Sequence, residues 1–166
     1  EAVPILLDGL QRLEYRGYDS AGLAVLSRGT LALRRCEGKI ARLRERVAAE
    51  SLPARAGLAH TRWATHGRPS EDNAHPHTNR DRSLAIVHNG IIENDRLLHR
   101  QLEREGFAFE SDTDSEIFAH LIDKYYRGRT TLETAVRRAV ARGQRTFPPA
   151  VALVQEAPIL VSVLPP

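Results

Sequence analysis

Four short polar segments carry side chains that could hold a small zwitterion. Each one follows an apolar run or lies in a predicted loop, and together they supply arginines, histidines, carboxylates and amides. The four segments are 16–20, 60–67, 88–94 and 111–116. Loops positioned by a rigid scaffold carry a large share of binding and catalytic residues in proteins. The spacing therefore predicts a small-molecule site built from several separate parts of the chain.

Two residues of opposite charge could hold the two ends of an amino acid. Arg62 follows the short apolar run 56–60, and a guanidinium there can bind a carboxylate through two parallel hydrogen bonds. Asp114 could accept hydrogen bonds from an ammonium group. Each residue also has an ordinary structural role open to it, a salt bridge for Arg62 and charge pairing at a helix N-terminus for Asp114.

Asn89 and Gly90 offer a side-chain amide and an unhindered backbone N–H next to each other. Two such donors suit an oxyanion hole, although the same dipeptide is common in simple turns. Trp63, the only tryptophan, could form the wall of a pocket or fill the core. The residue types alone leave these alternatives open.

Metal and thiol chemistry are less well supported. Five histidines lie close together in the sequence: His60, His66, His75, His77 and His88. Because no His-Glu-x-x-His motif or cysteine pair accompanies them, we predict hydrogen bonding within loops, with no metal and no cofactor. Cys36, the only cysteine, has arginines beside it but no histidine close in sequence, so we expect a core or hairpin residue instead of a nucleophile.

The composition indicates one globular domain. The chain has 166 residues, of which 42% are hydrophobic and 27% charged, and no apolar run approaches the ~20 residues of a membrane span. A single cysteine and the lack of a leader pattern predict a reducing, cytoplasmic setting. All basic residues except Lys39 and Lys124 are arginines, scattered among acidic residues, with a net charge of +3. This distribution favours a solvated surface over a nucleic-acid interface.

Hydrophobic periodicity predicts helices and strands in blocks, which favours a layered α+β domain. The predicted helices cover 2–14, 39–49, 94–105 and 131–142. The predicted strands cover 23–26, 30–34, 56–60, 84–87, 151–154 and 159–163, with a further short strand at 107–109. The spacing of Thr113 and Glu116 predicts a capping box, in which these two side chains cap the N-terminus of a helix. This predicted helix runs to about Gly128.

Five strings of residues together resemble a known family. They are RLEYRGYDSAG at 12–22, HTRWATHG at 60–67, NAHPH at 73–77, HNGIIEN at 88–94 and SDTDSE at 111–116. In this order they closely resemble the glutaminase (class II glutamine amidotransferase) domain of glucosamine-6-phosphate synthases, also called glutamine–fructose-6-phosphate aminotransferases (isomerizing). The resemblance covers about residues 1–142. Phosphoribosyl-pyrophosphate amidotransferases share the architecture but differ at these strings.

The resemblance implies an α+β fold of the N-terminal-nucleophile hydrolase type, a four-layer αββα sandwich that is truncated at both ends here. We therefore expect residues 1–166 to form a single, incomplete glutaminase domain without the sugar-isomerase domain that follows it in the family. In that family an N-terminal cysteine attacks the amide of L-glutamine and its own α-amino group moves the proton. The ammonia released converts fructose 6-phosphate into glucosamine 6-phosphate.

The resemblance also implies roles for individual residues. Arg62 matches the group that holds the α-carboxylate of glutamine, Asp114 matches the acceptor for its α-amino group, and Asn89 and Gly90 match the oxyanion hole. The remaining matched positions line the pocket or lie beside the nucleophile, and they are Trp63, His66 and Arg16.

The nucleophile itself has no counterpart among these residues. Glu1 aligns beyond the family's N-terminal cysteine, and Cys36 matches no functional position. We therefore expect the chain as it stands to be inactive, and a non-catalytic pseudo-glutaminase that binds or interacts is the alternative. The expected partners are L-glutamine or L-glutamate and the sugar-isomerase domain, with no nucleic acid and no membrane. A homodimer formed through an exposed sheet edge is a further hypothesis.

Overall fold

Two antiparallel sheets form the centre of this computed structural model, which describes residues 1–64, 67–127, 130–143, 150–154 and 160–162. The first sheet has the strand order β2-β1-β3. Its strands are β1 (Ser20–Ser27), β2 (Thr30–Glu37) and β3 (Ala54–Arg62). Both neighbours of β1 run antiparallel to it.

The second sheet has the order β4-β5-β6-β7, again with antiparallel neighbours. Its strands are β4 (His77–Thr78), β5 (Leu84–His88), β6 (Ala150–Val154) and β7 (Leu160–Ser162). Six of the seven predicted strands are found in the two sheets, although positions 159 and 163 lie outside the described residues. The strand predicted at 107–109 is wrong, because Phe107 and Phe109 pack against the core of the helical layer without pairing with any strand that the structure describes. β1 and β2 extend beyond the predicted apolar runs because the backbone hydrogen bonds of a ladder do not require apolar side chains.

Helices cover the outer face of each sheet. α1 (Ala2–Leu13) and α2 (Ile40–Ala48) lie on the first sheet, and a short 3₁₀ turn, Glu14–Arg16, follows α1. α3 (Asp95–Arg104), α4 (Glu116–Tyr126) and α5 (Leu132–Arg142) belong to the layer on the second sheet. All four helices predicted from periodicity are present. None of the helices that can be described is both long and apolar enough to cross a membrane.

The alternation of side chains along the strands explains the layers. Leu23 and Val25 of β1 pack against the helices of the first layer, whereas Ala24 faces the other way and packs with Leu58 of β3 and Ala85 of β5. Successive side chains of a strand point to opposite faces, so one strand can serve two apolar cores. The core formed by Ala24, Leu58 and Ala85 lies between the two sheets.

The same alternation holds in the second sheet. Leu84 and Ile86 of β5 pack against the helical layer, where Phe118 of α4 is fully buried, while Ala85 faces the first sheet. The order of layers is therefore helix, sheet, sheet, helix, which is the αββα arrangement that the resemblance predicted.

Gly22 allows the segment before β4 to approach β1 closely. A Cβ atom at this position would overlap the backbone oxygen of His75 and lie 2.9 Å from that of Arg34. Gly22 is paired with His60 across the sheet. The missing side chain therefore lets His75 lie against the strand next to His60.

We predict that Gly22→Ala lowers the free energy of unfolding by about 1–3 kcal/mol, the usual cost of overpacking a well-packed site. Gly9→Ala is the matched control, because nothing lies within 4 Å of a Cβ atom there. This second change should raise stability by about 0.5–1 kcal/mol, since Gly9 lies within α1. Urea unfolding of both variants measures the difference, and equal stabilities would contradict the close approach.

Candidate functional site

A cavity of about 410 Å³ opens where β3 and β5 end and where the loop before α4 begins. Six of the seven side chains or backbone groups predicted for the site line this cavity: Arg16, Arg62, Trp63, Asn89, Gly90 and Asp114. The seventh predicted residue, His66, lies outside the described residues. The structure thus brings together residues that are up to 98 positions apart in the chain.

The buried cation of the cavity is Arg62, the last residue of β3. Leu58 of this strand packs between the sheets, so the alternation places His60 and Arg62 on the same face. Only 5% of the Arg62 surface is exposed, and its Nη2 donates to the carbonyl oxygen of Gly67 at 3.1 Å. Burial lowers the pKa of Arg62, whereas the charges of Asp19 and Asp114 act in the opposite direction. Because an arginine titrates only above pH ~12, the guanidinium remains charged and can bind a carboxylate.

Asp19 fixes the end of β3, a role that the sequence analysis missed. Its Oδ2 accepts a hydrogen bond from the backbone N–H of Ala64. Its own backbone N–H donates to the carbonyl oxygen of Arg62 at 3.3 Å, and its carbonyl oxygen accepts from Gly38 at 2.7 Å. The string RLEYRGYDSAG contains this aspartate, but only the fold shows that it holds the backbone around Arg62.

Asp114 is buried in the loop before α4, and the backbone fixes its carboxylate. Oδ2 accepts the N–H of Ile92 at 2.7 Å, and Oδ1 lies 3.4 Å from the hydroxyl of Ser115. The carboxylate lines the cavity near Arg62, whose pKa it influences. A ligand in the cavity therefore meets an acid and a guanidinium.

The predicted capping box is wrong. α4 begins at Glu116 with Ser115 as its N-cap, and this residue makes no side-chain cap. Thr113, the predicted cap, has its Oγ1 2.8 Å from Nε2 of His77. A tertiary contact with β4 thus replaces the local contact that the spacing suggested.

Glu116 instead closes the loop that carries Asp114. Its carboxylate accepts the backbone N–H groups of Glu110 at 2.9 Å and Ser111 at 2.8 Å, and also the Ser111 hydroxyl at 2.6 Å. Nε2 of His120 lies 3.4 Å away. Burial alone would raise the pKa of Glu116, but the nearby His120 ring and the hydrogen bonds from Ser111 and the two backbone groups together lower the pKa below its ordinary value. The ionised carboxylate therefore stabilises this loop.

Asn89 and Gly90 follow β5 and lie at the cavity. Oδ1 of Asn89 is 2.7 Å from Nε2 of His60 on β3, so the ends of the two sheets meet here. Gly90 has a φ of 155°, a conformation that residues with a side chain rarely adopt. A simple Asn-Gly turn would require neither the contact of Asn89 with His60 nor this φ angle at Gly90.

Trp63 belongs to the wall of the cavity and not to the core. Its side chain is 64% exposed and contacts the ring of Tyr18, with 5.8 Å between the ring centroids. Arg16 is also exposed and lines the same cavity. The two residues lie where the cavity meets solvent.

Three of the clustered histidines form a row of rings at the cavity, which His60 and His75 line; His75 and His77 are buried and His60 is half-buried. The ring centroids of His60 and His75 are 4.4 Å apart, and those of His75 and His77 are 4.6 Å apart, both edge to face. Burial lowers the pKa of all three rings, so they are neutral at pH 7. In the described part of the chain, no three His, Cys, Asp or Glu side chains are arranged to hold a metal ion.

The expected hydrogen bonding with loops is found for His60 and His77, but it is wrong for His75, whose two ring nitrogens have no hydrogen-bond partner in the described part of the chain. His60, His77 and His88 lie in strands, and they contact Asn89, Thr113 and Ser115 respectively. The sequence missed these partners because all of them lie at least 27 positions away.

Cys36 is confirmed as a core residue. It lies in β2, and it packs with the apolar side chains between the first sheet and its helices. Burial raises the pKa of its thiol.

Comparison with known proteins supports the same family. A model of the glutamine amidotransferase domain matches residues 60–139. A glutamine–fructose-6-phosphate aminotransferase [isomerizing] of Symbiobacterium thermophilum is 49% identical over 163 residues, which cover 98% of this chain and 26% of that protein. The enzyme of the same name from Brucella abortus is 56% identical over 139 residues, covering 82% of this chain and 22% of that protein.

Solved structures give the same result for the fold. Glutamine phosphoribosylpyrophosphate amidotransferase of B. subtilis, complexed with ADP and GMP, superposes with a TM-score of 0.78. Its sequence identity is 26%, and the match covers 93% of this chain and 33% of that one. The chain belongs to the glutamine amidotransferase family. This amidotransferase domain has the predicted fold of the N-terminal-nucleophile hydrolases, and it spans about a quarter of the length of the curated relatives it matches.

The buried carboxylate of Glu116 leads to a prediction about pH. A carboxyl group whose pKa is lowered by folding stabilises the folded state above its ordinary pKa of 4.5, and this contribution is lost as the pH falls through the lowered value. We expect Glu116→Gln to cost about 1–3 kcal/mol at pH 7, since buried donors lose their charged acceptor. The variant should also lose less stability than the unchanged chain between pH 5 and pH 2.

Glu133→Gln is the matched control for this experiment, because Glu133 forms an exposed ion pair with Arg137. Exposed pairs of this kind contribute little, so its unfolding should follow the unchanged chain at every pH. Urea unfolding at several pH values measures all three proteins. If Glu116→Gln left the pH dependence unaltered, Glu116 would not be the ionised anchor of the loop.

Proposed function

We propose that this domain binds L-glutamine, and its product L-glutamate, in the 410 Å³ cavity. In this proposal Arg62 holds the α-carboxylate and Asp114 accepts hydrogen bonds from the α-ammonium group. The observation that carries the proposal is that one cavity contains a buried guanidinium, a buried carboxylate and the Asn89-Gly90 pair. Pockets of ~300–1,000 Å³ are of ordinary size for small-molecule ligands.

Asn89 and Gly90 are the proposed oxyanion hole. When a nucleophile adds to the side-chain amide of glutamine, the carbonyl oxygen gains negative charge. The Asn89 NH₂ group and the Gly90 backbone N–H are fixed donors, and donors already in place at a developing charge lower the barrier. Trp63 and Arg16 line the open side of the proposed site. For His66 the proposal rests on the resemblance of the string HTRWATHG alone.

The relatives support a proposal about the larger activity. Those at 49% and 56% identity are glutamine–fructose-6-phosphate aminotransferases [isomerizing]. We propose that this domain is the glutaminase half of such an enzyme, and that its ammonia would convert fructose 6-phosphate into glucosamine 6-phosphate on a sugar-isomerase domain. The amide nitrogen of glutamine is the atom that this half would release.

Binding by Arg62 can be tested directly with this chain. Arg62→Ala should weaken L-glutamine and L-glutamate binding by about 2–4 kcal/mol, because it removes a buried, charge-assisted pair of hydrogen bonds. Arg55→Ala is the control, since Arg55 lies on the same strand but is exposed and is not among the cavity residues. Calorimetric titration measures both variants. Equal affinities of the two would remove Arg62 from the site, and no binding by the unchanged chain would refute the proposed function.

The 166 residues as they stand are predicted not to release ammonia from glutamine. Their only thiol is that of Cys36, which is buried on the side of the first sheet that faces the helices and does not line the cavity. No thioester can therefore form there. A coupled ammonia assay with this chain and L-glutamine should give the rate of the buffer control. Turnover above that rate would contradict the prediction.

Binding without turnover is also the result that a second candidate function predicts. A glutamine cavity with no thiol next to it can act as a non-catalytic pseudo-glutaminase, which senses or holds the amino acid. Glu1 does not line the cavity, so a cysteine placed directly before it would not reach the ligand. Fusion of the family's complete opening strand, with its N-terminal cysteine, ahead of Glu1 separates the two functions, because only the glutaminase domain would gain ammonia release.

A further inference from the structure

We propose that His60 is a positioning residue, which orients the Asn89 side chain so that its NH₂ group faces the ligand. The inference rests on the proposed glutamine site and concerns a residue to which the sequence analysis gave no role beyond loop hydrogen bonding. His60 would act through Asn89, while Asn89 makes the contact with the reacting carbonyl oxygen.

The direction of the hydrogen bond follows from the two atoms involved. Nε2 of His60 lies 2.7 Å from Oδ1 of Asn89. A carbonyl oxygen can only accept, so Nε2 must carry the proton and donate. With its oxygen held by His60, Asn89 has its NH₂ group left for the cavity that it lines. The flipped amide would present its oxygen to the ligand and would repel a developing oxyanion.

The surroundings of His60 favour the required protonation state. Burial lowers the pKa of the imidazole, so the ring is neutral at pH 7 and carries one proton. Nδ1 is buried and has no hydrogen-bond partner within the described ranges of the chain. Nε2 has an acceptor in Asn89, and a buried N–H without an acceptor is costly. The single proton therefore belongs on Nε2.

Packing fixes the orientation of the His60 ring. The edge-to-face contacts with His75, and of His75 with His77, form a row of three rings. His77 in turn contacts Thr113, the neighbour of Asp114. The row thus connects the Asn89 side of the cavity with the Asp114 side, and a tilted His60 ring would lose its contact with His75.

Two substitutions separate positioning from general structural support. His60→Leu replaces the imidazole by an apolar side chain and so removes the Nε2–H donor. His60→Gln places an amide N–H donor at about the position of the histidine Nε2. The probes are L-glutamine and L-norvaline, which has the same α-carbon groups but lacks the side-chain carbonyl oxygen. The ratio of the two dissociation constants measures how much the Asn89 end of the cavity contributes to binding.

We expect the unchanged chain to prefer L-glutamine over L-norvaline by about tenfold or more. His60→Leu should lose most of this preference while its affinity for L-norvaline stays the same, and His60→Gln should recover part of the preference. An undiminished preference in His60→Leu would overturn the proposal. An equal loss for both ligands would also overturn it, because that result indicates structural support only.

A spectroscopic measurement tests the hydrogen bond without any ligand. In ¹⁵N-labelled protein the His60 ring should show the Nε2–H tautomer, and Asn89→Ala should shift the signal of that proton. The Nδ1–H tautomer, or no shift in Asn89→Ala, would overturn the inference even if His60→Leu does not fold. If neither amino acid bound the unchanged chain, the proposed function would fail, and the tautomer would still decide whether His60 orients Asn89.

Discussion

The guanidinium of Arg62 is the group on which the site depends, because a buried cation is unfavourable without acceptors around it. The fold supplies the Gly67 carbonyl oxygen as one acceptor and the charges of Asp19 and Asp114 nearby. Asp19 also holds the backbone that follows this arginine, from its carbonyl oxygen to the N–H of Ala64. In the proposed function, a ligand carboxylate would become a further partner of the guanidinium. Amino-acid binding and the stability of this end of β3 would then depend on the same charges.

Face-to-face packing of the two sheets brings the remaining groups to that cation. Leu58 and Ala85 share the core between the sheets, so the ends of β3 and β5 lie close together. Beyond this apolar contact, the His60–Asn89 hydrogen bond joins the same two strand ends. Asp114 comes from the helical side of the second sheet, where the buried carboxylate of Glu116 holds its loop. The two sheets and the loop before α4 thus each contribute one part of the cavity.

Local patterns failed where a tertiary contact competed with a local one. The capping-box spacing at 113–116 is genuine, but Thr113 contacts His77, and Glu116 binds the preceding loop instead of capping the helix. The clustered histidines suggested contacts within their own loops, yet His60 and His77 lie in strands and their partners come from loops far away in the chain. Trp63 could have belonged to the core by composition, and its place beside Tyr18 at the cavity follows from the course of the backbone after β3.

The sequence by itself determined the class of fold, most of the helices and strands, and six of the residues that line the cavity. Apolar periodicity depends on near neighbours, and the five strings of residues contain the chemical groups themselves. Only the tertiary structure decided which groups face one another: the orientation of the Asn89 amide, the anchoring roles of Asp19 and Glu116, and the neutrality of the buried histidines. These properties depend on distance, burial and hydrogen-bond direction between residues far apart in the chain, and they exist only once the two sheets have packed together.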